Sequence, residues 1–161
     1  MPAHAGARAT ACLALADGTI FSGQGYGATG EVTGTLVFDT HMSGYQEVLS
    51  DPAQAGHIVT FTFPHIGNTG TTPGDDRSSD GGAAGLVTAQ MPTEPSNWQA
   101  TATLPEWLAG RGMIGIGEID TRRLTLHLRD HGAQGAALSH DPEGRFDTAA
   151  LVARARAVRA G

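Results

Sequence analysis

Between Gly56 and Pro64 the chain reads HIVTFTF, and every residue after His57 is β-branched or aromatic. Such side chains lose rotamer freedom in a helix and pack well on a pleated surface, so residues 57–63 form a strand. Alternation sets Val59, Phe61 and Phe63 on one face and Ile58, Thr60 and Thr62 on the other, and the run reads as a central strand. GTLVFDT (34–40) has the same character, so strands organise the first half of the fold. CLALADGTIFSG adds two short apolar runs around Asp17-Gly18, the signal of a β-hairpin. AAGLVTAQ, GMIGIGEI and GAQGAALS supply further short strands.

Helix signals come mostly later. In SDPAQAG, Asp51 can cap, Pro52 suits the first helical position and Gly56 the C-cap, which predicts one short helical turn. Thr103-Leu-Pro-Glu106 matches a capping box and starts a helix that Gly110 or Gly112 stops. Asp120 or Thr121 caps a second helix through Asp130, with Leu124 and Leu128 on its apolar face and Gly132 at its end. Asp147 caps a terminal helix with a stripe of Leu151, Val152, Ala155 and Val158; Arg154, Arg156 and Arg159 lie near its C-terminal end, where cations are favoured. Residues 69–82 carry no apolar periodicity and read as a loop, and residues 1–10 as a disordered lead. Residues 11–161 then make one domain of mixed, α+β class, with a few helices mostly in the second half.

Composition narrows the chemistry. Only 16% of residues are charged and Gly contributes 23 of 161, about twice its usual share of ~7%. All ten cations are Arg, which removes a P-loop lysine, a Schiff-base lysine and a lysine general base together. A net charge of -6 disfavours nucleic acid as a partner. The single cysteine, Cys12, fits a reducing compartment, so a cytoplasmic location is expected, and no apolar run is long enough for a membrane span.

Several residue sets invite a catalytic or binding reading. Asp39, His41 and Ser43 offer an acid, an imidazole and a hydroxyl at alternate positions. On one strand face, however, successive members stand ~7 Å apart, whereas a working base meets its hydroxyl at about 2.6–3.2 Å. Gly25-Tyr-Gly-Ala-Thr-Gly30 matches the dinucleotide fingerprint, yet EVTGTLVF follows it as a strand, so no helix N-terminus receives a pyrophosphate and the run reads as a Gly-rich connection. His127 and His131 have zinc-compatible spacing, but Leu128 stands where a zincin carries Glu; a solvated helix face with a capping role for His131 is expected, and no metal site. Cys12 reads as a small core residue. FPHIGNTG (63–70) is either a ligand or partner loop or a turn satisfied by its own side chains, and Trp98 in EPSNWQ is a core anchor or an interface anchor.

Taken together, LADGTIFSGQGYGATGEVTGTLVFDTHMSGYQEVLSDP, IVTFTFPHIGNTG, EPSNW and GEIDTRRLTLHLRDHGAQ resemble the N-terminal domain of the small subunit of glutamine-dependent carbamoyl phosphate synthetase. The resemblance runs from about Cys12 to the final helix, with GYQE, DP, PHIGN-x-G and IDTR-x-LT in order.

That resemblance implies a three-layer β/β/α swivelling domain which, in the family, precedes a class I glutaminase domain. The family's small subunit passes ammonia from glutamine to a large, ATP-using subunit that makes carbamoyl phosphate for arginine and pyrimidine synthesis. The implied partners are the large subunit and a glutaminase domain in cis or in trans. No cofactor is expected in this domain; ATP and magnesium are expected on the large subunit. The family's glutaminase carries a Cys at a Gly-x-Cys-x-Gly elbow, absent here, so no catalytic residue is assigned and the chain alone is expected not to hydrolyse glutamine. A family glutamine contact, the Ser of a DPS run, corresponds to Ala53, which lacks the hydroxyl. Tyr45, Gln46, His65 and Asn68 are the expected interface residues, from the Gly-framed runs DTHMSGYQ and FPHIGNTG. The rival readings are a free-standing binding module that retains the fold and a small hydrolase using Asp39, His41 and Ser43.

Overall fold

A computed structural model describes residues 8–39, 45–62, 82–92 and 103–158. Seven strands, β1 (Ala11–Leu15), β2 (Ile20–Gly27), β3 (Gly30–Asp39), β4 (His57–Phe61), β5 (Gly85–Val87), β6 (Ile114–Gly117) and β7 (Gln134–His140), close into a barrel in the order β1-β2-β6-β5-β4-β3-β7. Strands β3, β4, β5 and β6 run parallel, and the β1–β2, β2–β6, β1–β7 and β3–β7 pairs are antiparallel. The helices are α1 (Tyr45–Ser50), α2 (Leu104–Gly110), α3 (Thr121–His131) and α4 (Thr148–Ala157), with a 3-10 turn over Pro52–Gln54.

Alternation along the strands divides the apolar residues between two sides. Leu13, Leu15, Leu36, Ile58, Val87, Ile114, Ile116 and Leu138 fill the barrel with the inner residues of α3. Outside, Val59, Phe61 and Leu86 pack against Leu49 of α1 and Leu104 and Leu108 of α2. A third contact area is built from small residues: Cys12, Ala14 and Ala137 receive Leu151 and Ala155 of α4. A Cβ on Gly135 would stand 2.2 Å from the Ala155 carbonyl oxygen, so the smallness of this wall sets how closely α4 approaches.

The local signals act as expected at most boundaries. Ala14 pairs with Ile20 across the Asp17-Gly18 turn. The Thr103 hydroxyl accepts from the Glu106 amide while the Glu106 carboxylate accepts from the Thr103 amide, completing the capping box. Asp120 and Asp147 cap α3 and α4, accepting from the Arg123 and Ala150 amides. Asp51 caps the 3-10 turn through the Ala53 amide. The Gly25–Gly30 run joins β2 to β3 without a helix. A Cβ on Gly25 would meet the His140 ring at 2.1 Å, and Gly27 holds φ 80° beside Leu108, so close packing and a left-handed turn account for these glycines.

Two expectations need adjustment. YQEVLS, where the sequence signals place no helix, forms the helix α1. Gln46, Leu49 and Ser50 turn inward on it, and the Ser50 hydroxyl donates to the Gln46 carbonyl at 2.7 Å. The class is mixed α/β as expected, but the strands form one closed sheet rather than separable β layers in their pairing.

Candidate functional site: the rim at the ends of the parallel strands

Because β3 to β6 are parallel, their C-terminal ends form one rim of the barrel. The antiparallel neighbours bring the β1–β2 turn and the start of β7, Gln134, to the same rim. Residues 40–44, 63–81 and 93–102 follow β3, β4 and β5 in the chain and lie outside the described residues. His41, Ser43, His65, Asn68 and Trp98 are among them. Ligands of parallel α/β sheets gather at such strand ends, because the connections there are free to vary around a fixed scaffold.

Helix α3 lies across this rim. Leu124 and Leu128 pack with the barrel interior, and the Arg123 guanidinium sits 4.9 Å from the Phe21 ring centre. Its C-terminal half is tied to the hairpin: the Asp17 carboxylate meets His127 Nε2 at 2.6 Å and accepts from Gln134 Nε2 at 3.2 Å and the Thr19 amide at 2.9 Å. Partial burial pushes the Asp17 carboxyl upward, but the hydrogen bonds from Thr19, His127 and Gln134 outweigh it and hold it well below the usual carboxylate range. His131 stacks on His127 and its Nδ1 lies 3.0 Å from the His127 carbonyl, the capping role expected of it. Among the described residues no three His, Cys, Asp or Glu side chains converge to hold a metal.

Asp39 closes β3, and its carbonyl accepts from the Thr62 amide at 3.1 Å. Glu118, directly after β6, holds φ 61°, a left-handed conformation that costs a non-glycine residue about 1–3 kcal/mol and tends to mark working surfaces. Two clefts border α3. One of about 400 Å³ is lined by Thr62, Thr121, Arg122, Thr125, Leu126 and Arg129, and one of about 200 Å³ by Leu36, Val37, Phe38, Leu128 and Ala133. Phe38 and Leu126, each 45% exposed, are the large apolar side chains left open among the described residues.

The expected site residues are dispersed over this frame. Tyr45 opens α1. Gln46, expected on a docking face, is 4% exposed and faces inward, because α1 is short and its buried side must seat on the barrel wall. Ala53 is exposed on the 3-10 turn before β4, at the opposite end of that strand from Thr62. Cys12 is buried, which pushes its thiol pKa up, as a small core residue should be.

The family profile described as carbamoyl-phosphate synthase small chain, CPSase domain, matches residues 13–138, most of the barrel. The chain belongs to the carbamoyl-phosphate synthase small-chain family. It is 60% identical over 147 residues to the carbamoyl phosphate synthase small chain of Ruegeria pomeroyi, covering 91% of this chain and 38% of that one. It is 50% identical over 152 residues to the small chain of Brucella anthropi, covering 92% and 37%. The chain thus spans under two-fifths of the length of these carbamoyl phosphate synthase relatives. An aminopeptidase from Aneurinibacillus sp. strain AM-1 overlaps 84% of the chain with a TM-score of 0.46 at 14% identity, too loose to carry an argument.

Within this carbamoyl-phosphate synthase domain, Arg122 and Arg129 on α3 and the Asp17–His127 pair were not singled out from sequence as site residues. A signal was present for the first: in DTRRLTLHLRD, Leu126 interrupts the polar face between Arg122 and Arg129. None exists for the second, since the partners are 110 positions apart.

Proposed function

We propose that this chain is the N-terminal scaffold and subunit-interface domain of a carbamoyl phosphate synthetase small subunit, working in the cytoplasm. The 60% identity to a small chain over 91% of the sequence carries this reading. In it, residues 11–161 form the domain, a glutaminase domain in cis or in trans releases ammonia from glutamine, and a large subunit with ATP and magnesium makes carbamoyl phosphate for arginine and pyrimidine synthesis. The barrel, clad by α1, α2 and α4 outside and crossed by α3 at one rim, is compatible with the family's β/β/α layering when its walls are taken as two facing β layers.

The domain's own contribution is positional. Ala53 has no hydroxyl, and its amide already donates to Asp51 at 2.9 Å, so a role near glutamine there is one of shape. The chain is tested by co-elution with a matching large subunit in gel filtration; no association under any glutaminase-supplemented condition would sink the docking role. Substitution of Tyr45 or His65 should weaken assembly more than folding.

A further inference from the structure

We propose that the larger cleft beside α3 binds a small phosphate monoester, held by the guanidiniums of Arg122 and Arg129 and by the hydroxyl and amide donors at the start of the helix. Such a site is independent of the interface role proposed above. Both arginines are exposed and line the cleft, seven residues apart on α3, so their positions stand about 10 Å apart along its axis. Neither makes a hydrogen bond or ion pair with a described residue, whereas Arg8, Arg145, Arg154 and Arg156 all have such partners. Of the described residues that line the cleft none carries a carboxylate. The capping carboxylate of Asp120 is engaged by the Arg123 amide at 3.0 Å. In a chain of net charge -6, two unpaired cations therefore face one cavity of about 400 Å³.

Hydrogen-bond donors are left over at the same place. Thr121 is 7% exposed and lines the cleft, yet its hydroxyl has no hydrogen-bond partner among the described residues. A buried hydroxyl without a partner is unfavourable, so such groups are as a rule satisfied. Thr60, two residues before Thr62 of the cleft on the same stretch of chain, is wholly buried and equally unpartnered. The amides of Thr121 and Arg122 open α3 and have no acceptor among the described residues. At the positive end of an eleven-residue helix these donors favour an anion. The other two lining hydroxyls are committed, Thr62 donating to the Asp39 carbonyl and Thr125 to that of Thr121.

This donor set suits a phosphate monoester better than a carboxylate. Two guanidiniums balance a dianion, and forked, hydroxyl and amide donors together match a group with three free oxygens. The cavity is roomier than a bare phosphate needs. Leu126, 45% exposed between the two arginines, offers apolar surface to an organic body.

The test is an amide NMR titration of the 161-residue chain with phenyl phosphate, inorganic phosphate and succinate. Phenyl phosphate should shift the Thr121 and Arg122 amides saturably, with a Kd of about 1 mM or tighter. Inorganic phosphate, which has no body to lay on Leu126, should bind about 3-fold or more weakly. Arg122→Gln and Arg129→Gln should each weaken phenyl phosphate about 10-fold, and Leu126→Ser should remove its advantage over phosphate. Affinity should fall as pH drops below the second phosphate pKa of about 6. Thermal unfolding of each variant should match wild type, since all three side chains are exposed. Shifts that do not saturate, or saturable shifts that both arginine variants retain, overturn the inference. Succinate binding as tightly as phenyl phosphate overturns the choice of phosphate. None of these outcomes bears on binding to a large subunit, so the two proposals fail separately.

Discussion

Replacing Asp17 by Asn should unfasten the C-terminal half of α3 from the hairpin turn. The carboxylate gathers His127, Gln134 and the Thr19 amide; the amide can keep the Thr19 contact but loses the charge that holds His127. A charge-assisted hydrogen bond contributes roughly 1.5–3 kcal/mol when sheltered. The Asp17 side chain is 34% exposed, so solvent screening brings the expected loss to about 1–2 kcal/mol. For a domain of this length that lowers Tm by roughly 2–8 °C. The folded pKa of Asp17 is depressed below its unfolded value of ~3.9. Its contribution is therefore complete above about pH 5 and is lost as pH falls toward the folded pKa. Urea denaturation of wild type and Asp17→Asn at pH 7, 5 and 3 reads this directly: the gap between them should be full at pH 7 and 5 and smaller at pH 3. A gap that stays constant to pH 3, or one below about 0.3 kcal/mol at pH 7, refutes the account of α3 as tethered by a carboxylate.

Other perturbations probe the remaining supports. Gly115→Ala would place a Cβ 2.3 Å from the buried Tyr26 ring, whose hydroxyl is fixed by Thr88 at 2.8 Å, and should cost about 1–3 kcal/mol in chemical denaturation. Thr103→Ala removes one half of the capping box and should cost about 1 kcal/mol, with faster amide exchange confined to the first turn of α2. Cys12 should react with a thiol reagent only as fast as the barrel opens, because burial both shields it and raises its pKa. Rapid labelling of native protein would contradict its place under α4.

Strand existence was readable wherever the local chemistry was strong. HIVTFTF, the Asp17-Gly18 turn and the Thr103, Asp120 and Asp147 caps act within a few residues, so the sequence pattern is also the physical cause. Closure of the sheet was not readable, because the β1–β7 and β3–β7 pairings join residues about a hundred positions apart and leave no local trace. Helix α1 escaped because six residues with one buried side show too little period to separate from a loop. For the site, order and spacing of motifs disclosed the family, while the burial of Gln46 was not readable because exposure depends on which side of α1 meets the barrel. The Arg122–Leu126–Arg129 face needed the structure to show that Leu124 and Leu128 claim the opposite side.

The account's central claim, that this barrel is a docking scaffold, is met most directly by calorimetric titration of the large subunit with the chain, with and without a separate glutaminase domain. Saturable heat with one site per large subunit is the predicted result. No heat from the folded wild-type chain in either condition contradicts the claim.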